Sequence, residues 1–266
     1  MRRNNYKEWN AFFEMVNKRG QLAIFVIIAL IIVGAVIILL LYPKIGLPQM
    51  TSKELSPESY LKSCIEPEIK PAIENLAKQG GYSNPEGVLE YEGEKIKYLC
   101  WTSEYYKTCV VQQPMIKEHM EKEINEIILP GSQECLQELK SEYEKRGYSV
   151  SLLPSDINVT IDPHKIIVEF KAPMTISKET TRTFNNFNIE IKSEMYDLLM
   201  LTTSIIDYES TLGDSETTDY ISYYPDLSMK KIKLSEGSKI YTLRNVITNE
   251  SFRFASRSLS WPPGGY

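Results

Sequence analysis

The chain has 266 residues, of which 42% are hydrophobic and 24% are charged, and its net charge is −5 at neutral pH. This length allows one or two domains with a buried core, and the composition is ordinary for a globular protein. The composition excludes a wholly disordered, collagen-like or coiled-coil chain. The acidic balance gives no reason to expect binding to nucleic acid.

One apolar segment near the N-terminus differs from this average. The run Leu22–Tyr42 contains no charged residue, and about 20 apolar residues are enough for a helix that crosses a bilayer. A cleaved secretory signal has a shorter apolar region, of about 7–15 residues, and a small-residue cleavage site, whereas YPKIG follows this run. We therefore predict a transmembrane helix over 21–43, which Pro43, Gly46 and Pro48 end.

Basic residues on the two sides of the predicted span indicate its orientation. Five lysines and arginines lie in the first 20 residues, and three lysines follow the span within a similar distance. Because cytoplasmic flanks carry the excess of positive charge, we expect the N-terminus in the cytoplasm and the C-terminal domain outside the cell. The remaining charge agrees, since residues 44–266 carry 25 basic and 33 acidic groups.

The segment before the span has a pattern of its own. Four large apolar residues recur at the spacing of one helix face: Tyr6, Trp9, Phe13 and Val16. A cytoplasmic amphipathic helix on the inner leaflet and a partly ordered tail both fit residues 1–20. A stalk over 44–56, an extracytoplasmic domain over 57–260 and a tail over 261–266 complete the predicted organisation.

All four cysteines follow the predicted span, at positions Cys64, Cys100, Cys109 and Cys135. An even number on one side of a membrane suits an oxidising exterior. Of the three possible pairings we favour Cys100–Cys109, which flank a predicted hairpin tip, together with Cys64–Cys135, which lie on helical patterns. The cysteines form no close pair of the C-x-x-C type, so we predict no zinc site.

Two sequons and a pair of tyrosines are candidate surface features. Asn158 and Asn249 each begin an N-x-S/T triplet and are candidate glycosylation sites, since both lie outside the membrane in this topology. Tyr105 and Tyr106 lie at the predicted hairpin tip and are a candidate contact surface. Ordinary half-buried aromatic residues are the alternative interpretation of the two tyrosines.

The period of the apolar residues predicts an α+β domain with a helical first half and a mainly antiparallel second half. One helix begins at Ser56-Pro57 and ends at Gly80-Gly81. Two more, over 114–129 and 135–146, are separated by Pro130-Gly131-Ser132, since these residues interrupt a helix. The other predicted elements are a hairpin of Val88–Tyr91 and Ile96–Trp101, strands Ser149–Leu153, Asn158–Ile161, Lys165–Lys171, Phe184–Ile191, Lys230–Leu234, Lys239–Val246 and Phe252–Ser256, and helices Glu194–Tyr208 and Glu216–Tyr224.

The sequence shows no pattern typical of a known catalytic site. It contains no phosphate loop, dinucleotide fingerprint, G-x-S-x-G elbow or C-x-x-C pair. His119 on an apolar helix stripe and His164 in a tight turn have no catalytic partner pattern, so a core or turn role is favoured. Ser59-Tyr-Leu-Lys62 matches S-x-x-K without its companion motifs. We therefore predict no enzymatic activity, no catalytic residue, no cofactor and no metal.

The junction Lys18-Arg19-Gly20-Gln21, followed by LAIFVIIAL, resembles the class III signal of archaeal type IV pilin-like proteins. In that family a membrane peptidase cuts after the glycine, here between Gly20 and Gln21, and the apolar helix packs into a filament core. This chain departs from the family at Phe25, where a glutamate is usual. The outer part, with LKSCIEP, AKQGGY and FRFASRS, resembles uncharacterised membrane-anchored archaeal surface proteins, and this resemblance implies no activity.

The favoured hypothesis is a single-pass membrane protein whose outer domain binds or scaffolds something at the cell surface. Its expected partners are the lipid bilayer and other membrane or surface proteins. A processed pilin-like filament subunit is the alternative, and an ectoenzyme with an unrecognised site is a further alternative. An enzyme predicts a concave pocket with convergent polar groups and perturbed pKa values.

Overall fold

The computed structural model of the protein describes these residues: 25–37, 55–154 and 156–262. The chain divides into two compact units, Met1–Glu54 and Leu55–Tyr266. The larger unit contains every described strand and all described helices except one.

In the smaller unit, residues 25–37 form helix α1, which lies within the predicted span 21–43. No helix in the described part of the chain is both long enough and apolar enough to cross a membrane. Residues 21–24 and 38–43 of the predicted span lie outside the described residues, so the span stays a prediction. Three predictions concern residues outside the described ranges. They are the amphipathic segment 1–20, the cleavage between Gly20 and Gln21, and most of the stalk.

Helix α2, Pro57–Lys78, begins the larger unit as predicted. The Ser56 side chain accepts a hydrogen bond from the Ser59 backbone N–H, which is the capping contact expected of a serine at this position. The helix continues through its two internal prolines. It is followed by Gly80 and Gly81, whose φ angles of 73° and 88° lie in the left-handed region that favours glycine.

Helix α3, Ile116–Lys145, is continuous, so the predicted break at Pro130-Gly131-Ser132 is wrong. A Cβ atom at Gly131 would overlap the Glu68 carboxylate of α2, so this glycine permits a close approach of the two helices. Proline inside a helix costs about 3 kcal/mol, whereas each fully buried aliphatic side chain contributes about 1.5–3 kcal/mol. Nine buried residues on both sides of Pro130 therefore outweigh the local preference.

The largest sheet joins strands from both ends of the domain. Its order is β1-β2-β12-β11-β10, and the short strand β3 also pairs with β2. The pair β2–β12 is parallel, and the other pairs of this sheet are antiparallel. The strands are β1 Val88–Tyr91, β2 Glu94–Trp101, β3 Val110–Val111, β10 Leu227–Lys233, β11 Ser238–Asn245 and β12 Ser251–Arg257. The predicted helical half of the chain thus supplies part of the main sheet.

Two three-stranded antiparallel sheets complete the β structure, in the orders β4-β7-β8 and β5-β6-β9. Their strands are β4 Ser149–Leu152, β5 Asp156–Asp162, β6 Lys165–Lys171, β7 Met174–Ser177, β8 Thr181–Phe184 and β9 Phe187–Lys192. The strand predicted over Phe184–Ile191 corresponds to β9 and begins three residues too early, and neither β7 nor β8 was predicted as a strand. The α+β class is confirmed.

Helices α4, Met195–Thr211, and α5, Thr217–Tyr223, lie close to their predicted positions. Helix α4 packs against β12 and α5 against β10. One large core contains residues from helices α2, α3 and α4 and from all three sheets. Its largest fully buried side chains are Tyr241, Phe170, Phe187, Phe252 and Phe254.

Two disulfide bonds join the four cysteines in the pairs that the sequence favoured. Cys64–Cys135 links α2 to α3, and Cys100–Cys109 closes the loop between β2 and β3. No described cysteine is free. Both bridges lie within the larger unit, so the cysteines act as structural residues.

Candidate functional site

Two grooves adjoin each other at the start of helix α4. The first has a volume of about 860 Å³ and is bordered by α2, the β9–α4 junction and the β11–β12 turn. The second, of about 270 Å³, is bordered by α4 and by residues next to β10 and β11. His164, Glu194 and Thr248 line both grooves. These three residues therefore lie where the two grooves meet.

His164 reaches the grooves from the turn between β5 and β6. Its φ of 64° is in the left-handed region, and its side chain is 74% exposed. Its Nδ1 atom lies 2.9 Å from Glu194 Oε2. The hydrogen bond to Glu194 and the charge of that carboxylate raise the pKa of His164 above its ordinary value.

A second carboxylate holds the start of α4 in place. The Glu250 carboxylate accepts a hydrogen bond from the Glu194 backbone N–H at 2.5 Å and from the Ser193 hydroxyl at 2.6 Å. Negative groups near a helix N-terminus are stabilised by the helix dipole. The backbone N–H of Ser193 also donates to the carbonyl of His164 at 3.2 Å. The turn that carries His164 is thus bonded directly to the junction that carries Glu194.

Three side chains in this region are able to hold a metal ion. His164, Glu194 and Asp197 each offer one ligand atom, and these atoms lie within 4.8 Å of one another. The absence of a metal site was predicted because no ligand pair has metal-binding spacing in the sequence. His164 is 30 residues from Glu194, so only the tertiary fold brings the imidazole to the carboxylates.

A second polar cluster lies at the other end of α4 and is fully buried. The Glu209 carboxylate accepts hydrogen bonds from Lys239 Nζ at 2.8 Å, the Tyr241 hydroxyl at 2.5 Å, the Ser256 hydroxyl at 2.9 Å and the Ser215 backbone N–H at 3.0 Å. Burial and the neighbouring Glu209 charge strongly raise the pKa of Tyr241. These residues line neither groove, so the cluster holds α4 against the sheet.

Asp214 extends the buried cluster towards solvent. It lies 3.2 Å from Lys239 Nζ and 2.8 Å from Lys231 Nζ, and it also pairs with Lys233. Burial acts to raise the pKa of Asp214, but the hydrogen bonds from Lys231 and Lys233 outweigh it, and the pKa is well below its usual range. Sequence reasoning missed Glu209 and Asp214, and the signal for Glu209 was an acidic residue continuing an apolar helix stripe.

The candidate contact surface at Tyr105 and Tyr106 lies in the loop between β2 and β3. Their side chains are 42% and 56% exposed, and the Tyr106 ring packs edge-on against Trp261 at a centroid distance of 5.0 Å. Trp101 and Val110, which are cross-strand neighbours, are exposed as well. A role of these tyrosines in contacts stays a prediction.

The two sequons lie in different environments. Asn158 is exposed on β5, a strand at the edge of its sheet, and its Nδ2 donates to the Thr160 hydroxyl at 3.4 Å. Asn249 lines the first groove in the β11–β12 turn, and its Oδ1 accepts a hydrogen bond from Arg244. Glycosylation of either residue stays a prediction.

The remaining candidate residues make contacts within the fold. His119 is half-buried against Tyr82, with ring centroids 3.9 Å apart, and its Nε2 is 3.6 Å from Glu123 Oε1. Burial lowers the pKa of His119. In the S-x-x-K segment, Lys62 Nζ donates to the carbonyl of Glu190 at 2.8 Å.

Comparisons with protein-family models, curated proteins and solved structures found no match to this chain.

Proposed function

We propose that this chain is a single-pass membrane protein that displays a disulfide-stabilised binding domain outside the cytoplasm. The pairing of all four cysteines within the described domain carries this proposal. Disulfides form and persist in oxidising compartments and are rare in the cytosol. The uncharged run Leu22–Tyr42 supplies the proposed anchor, and the excess of basic residues before it supplies the proposed orientation.

The grooves around His164 support a binding role for the displayed domain. Glu250 is hydrogen-bonded to Ser193 and Glu194 and so fixes the groove wall, whereas His164 and Asp197 are exposed to solvent. The exposed polar side chains of the grooves include an imidazole and carboxylates, which are ligand-binding groups. The described residues bring no hydroxyl into hydrogen-bond contact with either histidine. Binding is therefore favoured over an ectoenzyme with a hydroxyl nucleophile.

Thiol labelling and protease access in cells test the location. With the chain in its native membrane, we expect a membrane-impermeant maleimide to leave the cysteines unlabelled until a reductant is added. We also expect a protease added to intact cells to remove the domain after residue 55. Free thiols before reduction, or a domain that the protease cuts only after the membrane is broken, would contradict the proposal.

A processed pilin-like subunit is the second candidate function, supported by the junction Gly20-Gln21 and the apolar run that follows it. In this case other copies of the chain would be the partners of the apolar segment. Mass spectrometry of the native N-terminus separates the two candidates. A chain that begins at Gln21 supports processing, and a chain that begins at Met1 or Arg2 rejects it.

A further inference from the structure

We propose that His164, Glu194 and Asp197 bind a divalent transition-metal ion, with zinc as the best match to the ligand set. This inference rests on the proposed binding role of the grooves and names the chemical class of the ligand.

The three ligand atoms already converge to nearly the required separations. They lie within 4.8 Å of one another, and His164 Nδ1 lies 2.9 Å from Glu194 Oε2. Zinc binds imidazole nitrogen and carboxylate oxygen at about 2.0–2.2 Å, so ligand atoms around a tetrahedral ion are about 3.4 Å apart. Side-chain rotations that move the ligand atoms by roughly an ångström therefore bring the three atoms around one ion.

The backbone that carries the ligands is held by hydrogen bonds that do not involve the ligand atoms. Ser193 N–H donates to the carbonyl of His164 at 3.2 Å, and Glu250 accepts from the Glu194 backbone N–H at 2.5 Å. Asp197 lies on the first turn of α4, one helical turn after Glu194. Supporting contacts of this kind orient metal ligands and reduce the ordering that binding requires.

The charge of the second groove favours a cation, whereas Lys70, Lys192 and Arg244 line the first groove. Asp226 also lines the second groove, and none of the described residues lining that groove is a lysine or arginine. Asp197 and Asp226 form no salt bridge with a lysine or arginine within the described ranges. The carboxylates of this groove therefore have His164 as their one described cationic partner, and a divalent ion would neutralise the excess.

The ligand types select the metal. Calcium and magnesium prefer oxygen ligands alone, whereas an imidazole combined with carboxylates suits zinc and other first-row divalent ions. Three protein ligands leave at least one coordination position of a tetrahedral ion for an external group. That position would face the grooves, because His164 and Glu194 line both of them.

Calorimetric titration of the purified full chain in detergent with zinc chloride tests the inference. We expect one zinc ion per chain, and we expect calcium chloride at the same concentrations to produce no competing binding. His164→Ala and Asp197→Asn should each weaken zinc binding by about tenfold or more. Cobalt substitution supplies a spectroscopic measurement, since cobalt in a protein site of low coordination number gives visible absorption bands that His164→Ala should abolish.

Two variants are matched controls for the titration. Asp207→Asn removes one exposed negative charge from the same helix, and His119→Gln removes the other histidine; both should bind zinc as the parent chain does. Absence of zinc binding by the parent chain, or equal binding by His164→Ala, would overturn the metal site. Neither result affects the thiol-labelling and protease outcomes, so failure of the inference is distinguishable from failure of the proposed location.

Discussion

The two ends of helix α4 carry polar clusters with opposite properties. At the C-terminal end, the Glu209 carboxylate is fully buried and every contact that it makes comes from the domain itself. At the N-terminal end, Glu194 faces an exposed imidazole and a groove. Since a buried charge is tolerated only when it is fully paired, the first cluster must be complete in the folded chain. The second is open to solvent and can accept a partner from outside.

Helix α4 therefore carries two kinds of charged residue: those that stabilise the fold and those that are available to bind a ligand. Lys239 is 7% exposed and supplies the countercharge of Glu209 within the core. No lysine or arginine among the described residues plays that part in the second groove. Mutations in the buried cluster should therefore change the free energy of unfolding, and mutations in the open cluster should change ligand binding.

The largest expected effect is that of Glu209→Ala. The substitution leaves the Lys239 ammonium with Asp214, 3.2 Å away, as its remaining carboxylate, and it leaves the buried hydroxyls of Tyr241 and Ser256 without their acceptor. Breaking a buried pair in this way costs about 3–5 kcal/mol. Chemical denaturation of the purified chain measures the loss. As a control, Glu209→Met combined with Lys239→Met removes both charges and should recover a large part of the stability. A loss of less than about 1 kcal/mol for Glu209→Ala would contradict the prediction, because it would show that the buried cluster does not depend on the Glu209 carboxylate.

Removal of the disulfides should have the next largest effects. The Cys64–Cys135 bridge spans 71 residues and the Cys100–Cys109 bridge spans 9, so the chain-entropy relation gives about 4 and about 3 kcal/mol respectively. Paired serine substitutions, compared by denaturation under identical conditions, measure both values.

The Cys109 backbone N–H donates to Ser258, whose hydroxyl donates to the Glu209 carbonyl. Loss of the shorter bridge should therefore reduce the coupling between Glu209 and Lys239, and loss of the longer bridge should leave it unchanged.

A smaller, pH-dependent effect is expected at His119, which is an intermediate case because it is half-buried. Its lowered pKa means that the unfolded chain binds the proton more readily than the folded chain. The contribution of His119 to stability is therefore complete above the ordinary histidine pKa of about 6.5 and is lost as the pH falls below that value. Denaturation between pH 5 and pH 8, compared with His119→Gln, measures this component. A component of opposite sign would contradict the prediction.

The smallest effects on stability are expected in the open cluster. His164 and Asp197 are exposed, and substitutions at exposed positions usually change the free energy of unfolding by less than about 0.5 kcal/mol. His164→Ala and Asp197→Asn should therefore melt within a few degrees of the parent chain. Differential scanning calorimetry measures this in metal-free buffer. A large loss of stability would contradict this prediction, because it would show that the open cluster stabilises the fold as the Glu209 cluster does.

Local signals predicted much of the secondary structure. Alternation of apolar residues placed β5, β6 and β11 within a few residues of their observed bounds, and the Ser56-Pro57 start of α2 was correct. The local signal failed at Pro130-Gly131, because packing of α3 against α2 offsets the unfavourable proline. It also failed at β7, a short strand whose partners β4 and β8 supply the hydrogen bonds that stabilise it.

The sequence by itself determined the class of the domain, most of its elements and the favoured cysteine pairing, because these depend on neighbouring residues and on periodicity. The tertiary structure alone decided that β2 lies parallel to β12, that Glu209 meets Lys239 and that His164 meets Glu194 and Asp197. The physical reason is distance along the chain. Those contacts join residues far apart in the sequence, where no local propensity acts, and they form only when the whole core has packed.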